Sequence, residues 1–324
     1  MHRRALLVSV LATSVVPLTP RAQSPARVFR VGILSGLPNS PAAVRLWEGF
    51  LQGLGELGYV EGKNIFVERR YYENSDRLAA FALDLVRLQP DVIVAGASPA
   101  PEVARRATST IPIVMATHID PVGSGLAVSL SKPGGNVTGT SLLSAELRGK
   151  QLELFKQTVP SLKLVAVLVD PSSATHGREL EEIEAAARVL QLRVQVVRAR
   201  ASSDLSAAFE PDRVDGVLIV GGTLLLYSER AHIAARALER GMPTMAGLGE
   251  FAAAGCLMSY GPDLAHGYRR AAWYVDQILK GAKAGDLPIE QPTKFALVIN
   301  VRTAKALRLT IPAPVLARAD ALTE

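Results

Sequence analysis

Eight positions in this chain have the residue types needed to hold a small polar molecule: Ser35, Ser98, Ala100, Thr117, Asp120, Ser172, Thr223 and Glu250. Each lies just beyond a short apolar segment, where a parallel strand would end and a ligand would sit. Ser98 stands before Pro99, an order that suits an N-cap followed by the first residue of a helix. Free amides near Ser98 and Ala100, with the serine hydroxyl, would receive a carboxylate at the positive end of that helix. Plain capping accounts for Ser98 equally well. Asp120 reads as the cap of the next helix, which makes Thr117 the better polar contact. Ser35 opens the loop Ser35–Ser40, and Ser172 and Thr223 divide between turn chemistry and contact. Glu250 would pair with an ammonium or accept hydroxyls, and as a first-turn acid it also suits the helix dipole. Tyr227 and Tyr260 offer faces for stacking on a ligand, or for packing.

Catalytic patterns are missing or misplaced. Gly53-Leu54-Gly55-Glu56-Leu57-Gly58 has dinucleotide-motif spacing, but it closes a helix where the phosphate-binding form must open one. Gly247-Leu248-Gly249-Glu250-Phe251-Ala252 follows a strand, yet its helix is short before Gly255 and no acid follows to hold a ribose. There is no P-loop and no G-x-S-x-G elbow. His2, His118, His176, His232 and His266 are far apart and read as surface or packing residues. A single cysteine, Cys256, excludes an intrachain disulfide and a cysteine-based zinc cluster. No catalytic residue, cofactor or metal is expected. The competing enzyme reading, an exported α/β enzyme acting on a small polar substrate with Glu250 or Asp120 as base, needs a paired nucleophile or metal cluster.

At 324 residues the chain is long enough for two domains. Hydrophobic residues at 48% and charged residues at 20% support a packed core rather than disorder. Aromatics at 5% argue against a platform for single-stranded nucleic acid. Arg3, Arg4 and Arg21 supply three of the net +6 charges, leaving +3 beyond residue 22, spread without runs. No nucleic-acid partner is expected. Residues 1–22 have the order of a secretory signal peptide: His2-Arg3-Arg4, then the apolar run Ala5–Val16, then Pro17 and Pro20. Cleavage near Ala22 or Ala26 would release an exported mature chain with no stable membrane insertion.

These site residues need strands and helices to place them. Val28–Leu34, Asn64–Tyr72, Asp91–Ala95, Ile111–Met115 and Val137–Ser141 read as strands. Helices are predicted over Pro41–Leu57, Arg77–Leu88, Pro99–Thr108 and Pro121–Ser131. The alternation restarts with a helix over Ala145–Thr158 and a strand over Leu164–Val169. It continues through strands at Arg193–Val197, Gly216–Val220, Pro243–Ala246 and Cys256–Tyr260, with helices between them. A long helix follows over Asp263–Lys280, then a strand over Phe295–Ile299 and a helix over Val301–Leu307. The fold class is therefore α/β, with two doubly wound parallel-sheet lobes and a ligand cleft between them. The expected lobes are 28–142 with a return segment at 263–284, and 143–262 with a tail at 285–321. Polar loops from both lobes imply closure on a ligand by hinge motion.

Three segments carry a resemblance: Gly53-Leu54-Gly55-Glu56-Leu57-Gly58-Tyr59-Val60-Glu61-Gly62-Lys63-Asn64; Asp120-Pro121-Val122-Gly123-Ser124-Gly125-Leu126 leading to Lys132-Pro133-Gly134-Gly135-Asn136-Val137-Thr138-Gly139; and Ser259-Tyr260-Gly261-Pro262 through Gln291-Pro292-Thr293-Lys294. From about residue 28 onward the chain resembles the ABC-transporter substrate-binding protein family that includes tryptophan/tyrosine-binding receptors. The resemblance implies a type I periplasmic-binding fold and a non-catalytic periplasmic receptor. Such a receptor captures a small-molecule ligand, here an amino acid or aromatic carboxylate, and delivers it to an ABC transporter permease. Ser98 and Thr117 match the pocket loops of such receptors by position. The loop Ser35–Ala42 departs from the Glu-His or Asp that the aromatic-amino-acid receptors tend to carry there. A sugar-repressor-like regulator shares the fold, but it would need an N-terminal helix-turn-helix where this chain has its signal segment.

Overall fold

Strand β1 (Phe29–Ser35) is buried along most of its length, as a near-continuous apolar run should be when helices cover both faces of a parallel sheet. The computed structural model describes residues 27–72, 75–142, 147–171, 176–209, 214–220 and 223–324. The expected signal segment, its cleavage sites and Ser172 lie outside the described residues.

Helix α1 (Pro41–Glu56) follows β1. The Ser40 hydroxyl accepts from the Ala43 amide, and Pro41 occupies the first turn. Its inward stripe is Ala43, Leu46, Trp47, Phe50 and Leu54, spaced at three and four residues as one helical face requires. Next come β2 (Ile65–Tyr71), α2 (Ser75–Arg87), β3 (Val92–Gly96), α3 (Ala100–Ala107), β4 (Ile113–His118) and β5 (Val137–Ser141). These strands form one parallel sheet in the order β2-β1-β3-β4-β5.

The second series runs α4 (Leu147–Thr158), β6 (Leu164–Val169), α5 (His176–Val189), β7 (Arg193–Arg198), a 3-10 helix (Ser202–Phe209) and β8 (Gly216–Ile219). It continues with α6 (Leu224–Ser228), α7 (Arg230–Glu239), β9 (Thr244–Ala246), α8 (Gly249–Ala253) and β10 (Met258–Pro262). The last elements are α9 (Leu264–Leu279), a 3-10 turn (Ala284–Asp286), β11 (Phe295–Asn300), α10 (Val301–Ala306), α11 (Ala313–Leu316) and β12 (Ala321–Thr323). The second sheet has the order β12-β11-β10-β9-β8-β6-β7. Every pairing in it is parallel except β10 with β11.

Helix α9 leaves the second sheet and packs on α1 and on β3, β4 and β5 of the first. A Cβ at Gly53 would stand 2.9 Å from the Ala272 Cβ. The glycine that mimics a nucleotide motif therefore serves a close helix crossing.

The structure corrects two readings. No helix forms over Pro121–Ser131. The Asp120 carboxylate accepts the amides of Val122 and Gly123, and the amides of Leu126 and Ala127 both turn back to the Pro121 carbonyl. Gly123, Ser124 and Gly125 are weak helix formers, and Gly125 takes φ +74. The return segment also runs past residue 284. Leu287 accepts from Thr138, Ile289 donates to Leu130, and Glu290 bridges Thr140 at the edge of β5. The chain rejoins the second sheet only at Phe295.

Candidate functional site

The carboxyl ends of β1, β3 and β4 meet α6, α8 and the start of α9 around one internal cavity. Its volume is only about 20 Å³, room for a single water-sized molecule, so a larger ligand could enter only if the lobes parted. Its apolar walls include Leu37, Ile119, Leu142 and Leu264 from the first lobe and Leu248 from the second. Its polar lining is Ser98, Thr117, His118 and Tyr268 from the first lobe and Tyr227 from the second. Leu37, Leu248, Leu264 and Tyr227 are all buried, and they join the apolar cores of both sheets into one cluster. The cleft is closed in this structure. A larger groove of about 380 Å³ lies at the opposite, amino ends of the strands, but it is an open surface feature where Arg27 and Asp91 already bond each other.

The hydroxyls of Ser98, Tyr227 and Tyr268 and Nδ1 of His118 are buried without a hydrogen-bond partner. All four residues line this cavity. Thr223 Oγ1, also buried without a partner, stands at the N-cap of α6, the helix that carries Tyr227. Each buried unpaired group costs about 1–3 kcal/mol, and native proteins keep few of them. Their convergence on one closed space is the arrangement a polar ligand would satisfy. Thr117 stands beside the Tyr268 hydroxyl as its polar neighbour.

Electrostatics sharpen the picture. Burial, reinforced by nearby Glu250, pushes the Tyr227 hydroxyl up to about 12. Burial raises Tyr268 as well. Both phenols keep their protons at neutral pH and stand ready as donors. Glu250, half-buried in the first turn of α8, has its carboxyl raised, first by burial and then by Asp263. Its own backbone amide and Arg230 act in the opposite sense. Arg230 also stacks on the Tyr227 ring at 4.4 Å. Tyr227 and Glu250 thus lie within electrostatic reach of each other, although Glu250 is not among the described residues lining the cavity.

The remaining sequence-predicted residues are placed differently. Ser35 is buried, and its hydroxyl is spent on the amide and carbonyl of Leu37. The Ala100 amide is spent on the Ala97 carbonyl. Asp120 is spent on its own turn. Ser98 does not cap α3, which starts at Ala100 with Pro99 before it and no side-chain cap bond. Its hydroxyl is thereby left unbonded beside the cavity. Ala97 sits at φ +61, a left-handed conformation that costs a non-glycine residue about 1–3 kcal/mol and clusters at ligand clamps. Gly36 admits this loop, since a Cβ there would lie 2.6 Å from the Ala97 carbonyl oxygen. On sequence alone His118 reads as a surface or packing residue and Tyr268 is passed over. Nothing in their spacing marked them, because the fold alone brings β4 and α9 to the same wall. Tyr260, read as a stacking candidate, tilts against Phe295 on the second sheet.

Among the described residues no group of three or more His, Cys, Asp or Glu could hold a metal ion. No helix there is long and apolar enough to cross a membrane.

The family described as ABC transporter substrate binding protein matches residues 31–323. The chain belongs to this family. It is 30% identical over 278 residues to a tyrosine-binding protein of Clostridioides difficile, covering 85% of this chain and 79% of that one. A Streptococcus pneumonia ABC domain solved in complex with L-Trp superposes with a TM-score of 0.83 at 26% identity, covering 91% of this chain and 99% of that one. A conserved domain protein of Vibrio cholerae gives 0.84 at 30% identity, covering 92% and 100%. The chain has the two-lobe α/β architecture of type I periplasmic binding proteins, and its relatives are substrate-binding proteins rather than enzymes.

Proposed function

We propose that this substrate-binding protein is an exported receptor that captures an amino acid or aromatic carboxylate in the interlobe cleft. It hands that solute to an ABC permease and performs no chemistry on it. The observation that carries the ligand reading is the set of unpaired buried hydroxyls from both lobes around one largely apolar cavity. With the lobes parted, an aromatic or aliphatic body would sit against the leucine walls, while Ser98, Thr117, Tyr227 and Tyr268 would bond its polar end. Glu250, outside the cavity lining but near enough to act on Tyr227 and Tyr268, is the group suited to an ammonium. The tyrosine-binding relative and the L-Trp-bound structure support an aromatic amino acid as the first candidate. Export rests on the order of residues 1–22 and on the family.

The test is a thermal-shift series on the chain from residue 27 with tryptophan, tyrosine, phenylalanine, aryl carboxylates and sugars. A ligand at 100 times its Kd adds about 2.7 kcal/mol to stability. A raised Tm with the aromatic compounds, which are recovered unchanged, is the expected result. A shift only with sugars, or conversion of the bound compound, would overturn this reading.

A further inference from the structure

We propose that His118 is a specificity-determining residue of this cleft, a fixed hydrogen-bond acceptor that selects ligands carrying an N–H or O–H donor. This rests on the receptor reading above and deepens it. His118 ends β4 with its side chain 3% exposed, and its Nε2 lies 2.8 Å from Oε1 of Glu102 in the first turn of α3. An ionised carboxylate can only accept, so in the neutral imidazole Nε2 carries the proton and Nδ1 keeps the bare lone pair. That Nδ1 is buried without a partner, and His118 lines the cavity.

The other polar groups of the lining are hydroxyls, on Ser98, Thr117, Tyr227 and Tyr268. A hydroxyl rotates and can either donate or accept. In its neutral form His118 cannot adapt in this way, because Glu102 holds its tautomer. Among the described residues it is therefore the one side chain of the lining with a fixed hydrogen-bonding sense in that form. A ligand with a donor at this point satisfies it. A ligand of the same shape without one leaves it buried and unpaired, a difference of roughly 5- to 140-fold in affinity. The chemical class is an apolar or aromatic body bearing a phenol, an indole-type N–H or an ammonium toward β4.

The experiment is calorimetric titration of shape-matched pairs that differ by one donor. The pairs are tyrosine and phenylalanine, tryptophan and 3-benzothienylalanine, and phenylalanine and 3-phenylpropionate. Wild type is expected to favour the donor-bearing member of at least one pair by about tenfold or more. In His118→Leu that ratio should fall to near unity, chiefly through weaker binding of the donor-bearing member. His118→Gln keeps an amide that can donate to Glu102 and an oxygen that accepts, so it should retain part of the preference. Should His118→Leu fail to fold, Glu102→Leu/His118→Leu strands no carboxylate and makes the same comparison. A ratio unchanged in the leucine variants, or equal affinities within every pair in wild type, would overturn the inference while leaving the receptor reading intact. No binding by any of the compounds would overturn both.

Discussion

The Ser98 hydroxyl shows how a residue can be recognised for its chemistry yet misread for its geometry. Its type and position beside a strand end were legible in the sequence, and so was the polar character of Thr117. Its expected role as a helix cap was not realised, because the backbone turns left-handed at Ala97 and α3 starts at Ala100. Ser98→Ala and Thr117→Ala should each weaken ligand binding by about tenfold while leaving Tm nearly unchanged, as titration and melting would show. Glu250 makes a pH prediction. Burial holds its carboxyl above the ordinary 4.5, so the folded state binds that proton more tightly than the unfolded chain. Stability from this group is full below 4.5 and is lost as pH rises toward the folded value. Glu250→Gln removes that dependence. Without ligand, the variant should melt above wild type at neutral pH, with the gap closing below 4.5. A gap that widens on acidification would show that the carboxylate is stabilised in the fold. Ser35, Ala100 and Asp120 illustrate the limit of reading residues one at a time. Each has the right polar group in the right loop, but a neighbour two or three residues away has already taken it up.

At the scale of elements, alternating apolar runs and helical stripes revealed the two sheets, because buried parallel strands and amphipathic helices carry strong local patterns. The loop after β4 was misassigned because its apolar residues mimic a helix while its glycines and the Asp120 side chain favour turns. The strap through Glu290 was invisible because it is held by bonds to residues far away in sequence, including Arg270 and Thr138. A further long-range device ties α4 to the second sheet. Arg148, 1% exposed, bonds Glu179, also 1% exposed, through Nε at 3.0 Å and Nη2 at 2.6 Å. Its Nη1 reaches Gln151, which in turn donates to the Tyr260 carbonyl on β10. Removing one member of such a pair strands a buried charge and costs about 3–5 kcal/mol. Arg148→Met should therefore lower stability by that amount in denaturant melts, and Arg148→Met/Glu179→Leu should recover most of it. Equal losses in the single and double variants would mean that the side chains matter for packing rather than charge.

For the whole molecule, the two sheets gain meaning from the space they enclose. Tyr227 and Leu248 from one lobe and Tyr268 and Leu264 from the other are buried against a cavity where the hydroxyls of Ser98, Tyr227 and Tyr268 and Nδ1 of His118 remain unbonded. Fold class was legible because it follows from patterning along the chain. The cavity was only half legible, because its walls are assembled from strand ends and helices more than a hundred residues apart. The central claim is that the solute binds between the lobes at this cleft, parting the walls that now meet there. The most direct measurement is calorimetric titration of tyrosine and tryptophan into wild type and into Leu248→Trp, whose larger side chain would fill the cavity. We expect one ligand per chain in wild type, a negative heat-capacity change from apolar burial, and loss of binding in the variant. Full affinity in Leu248→Trp would place the ligand elsewhere and contradict the account.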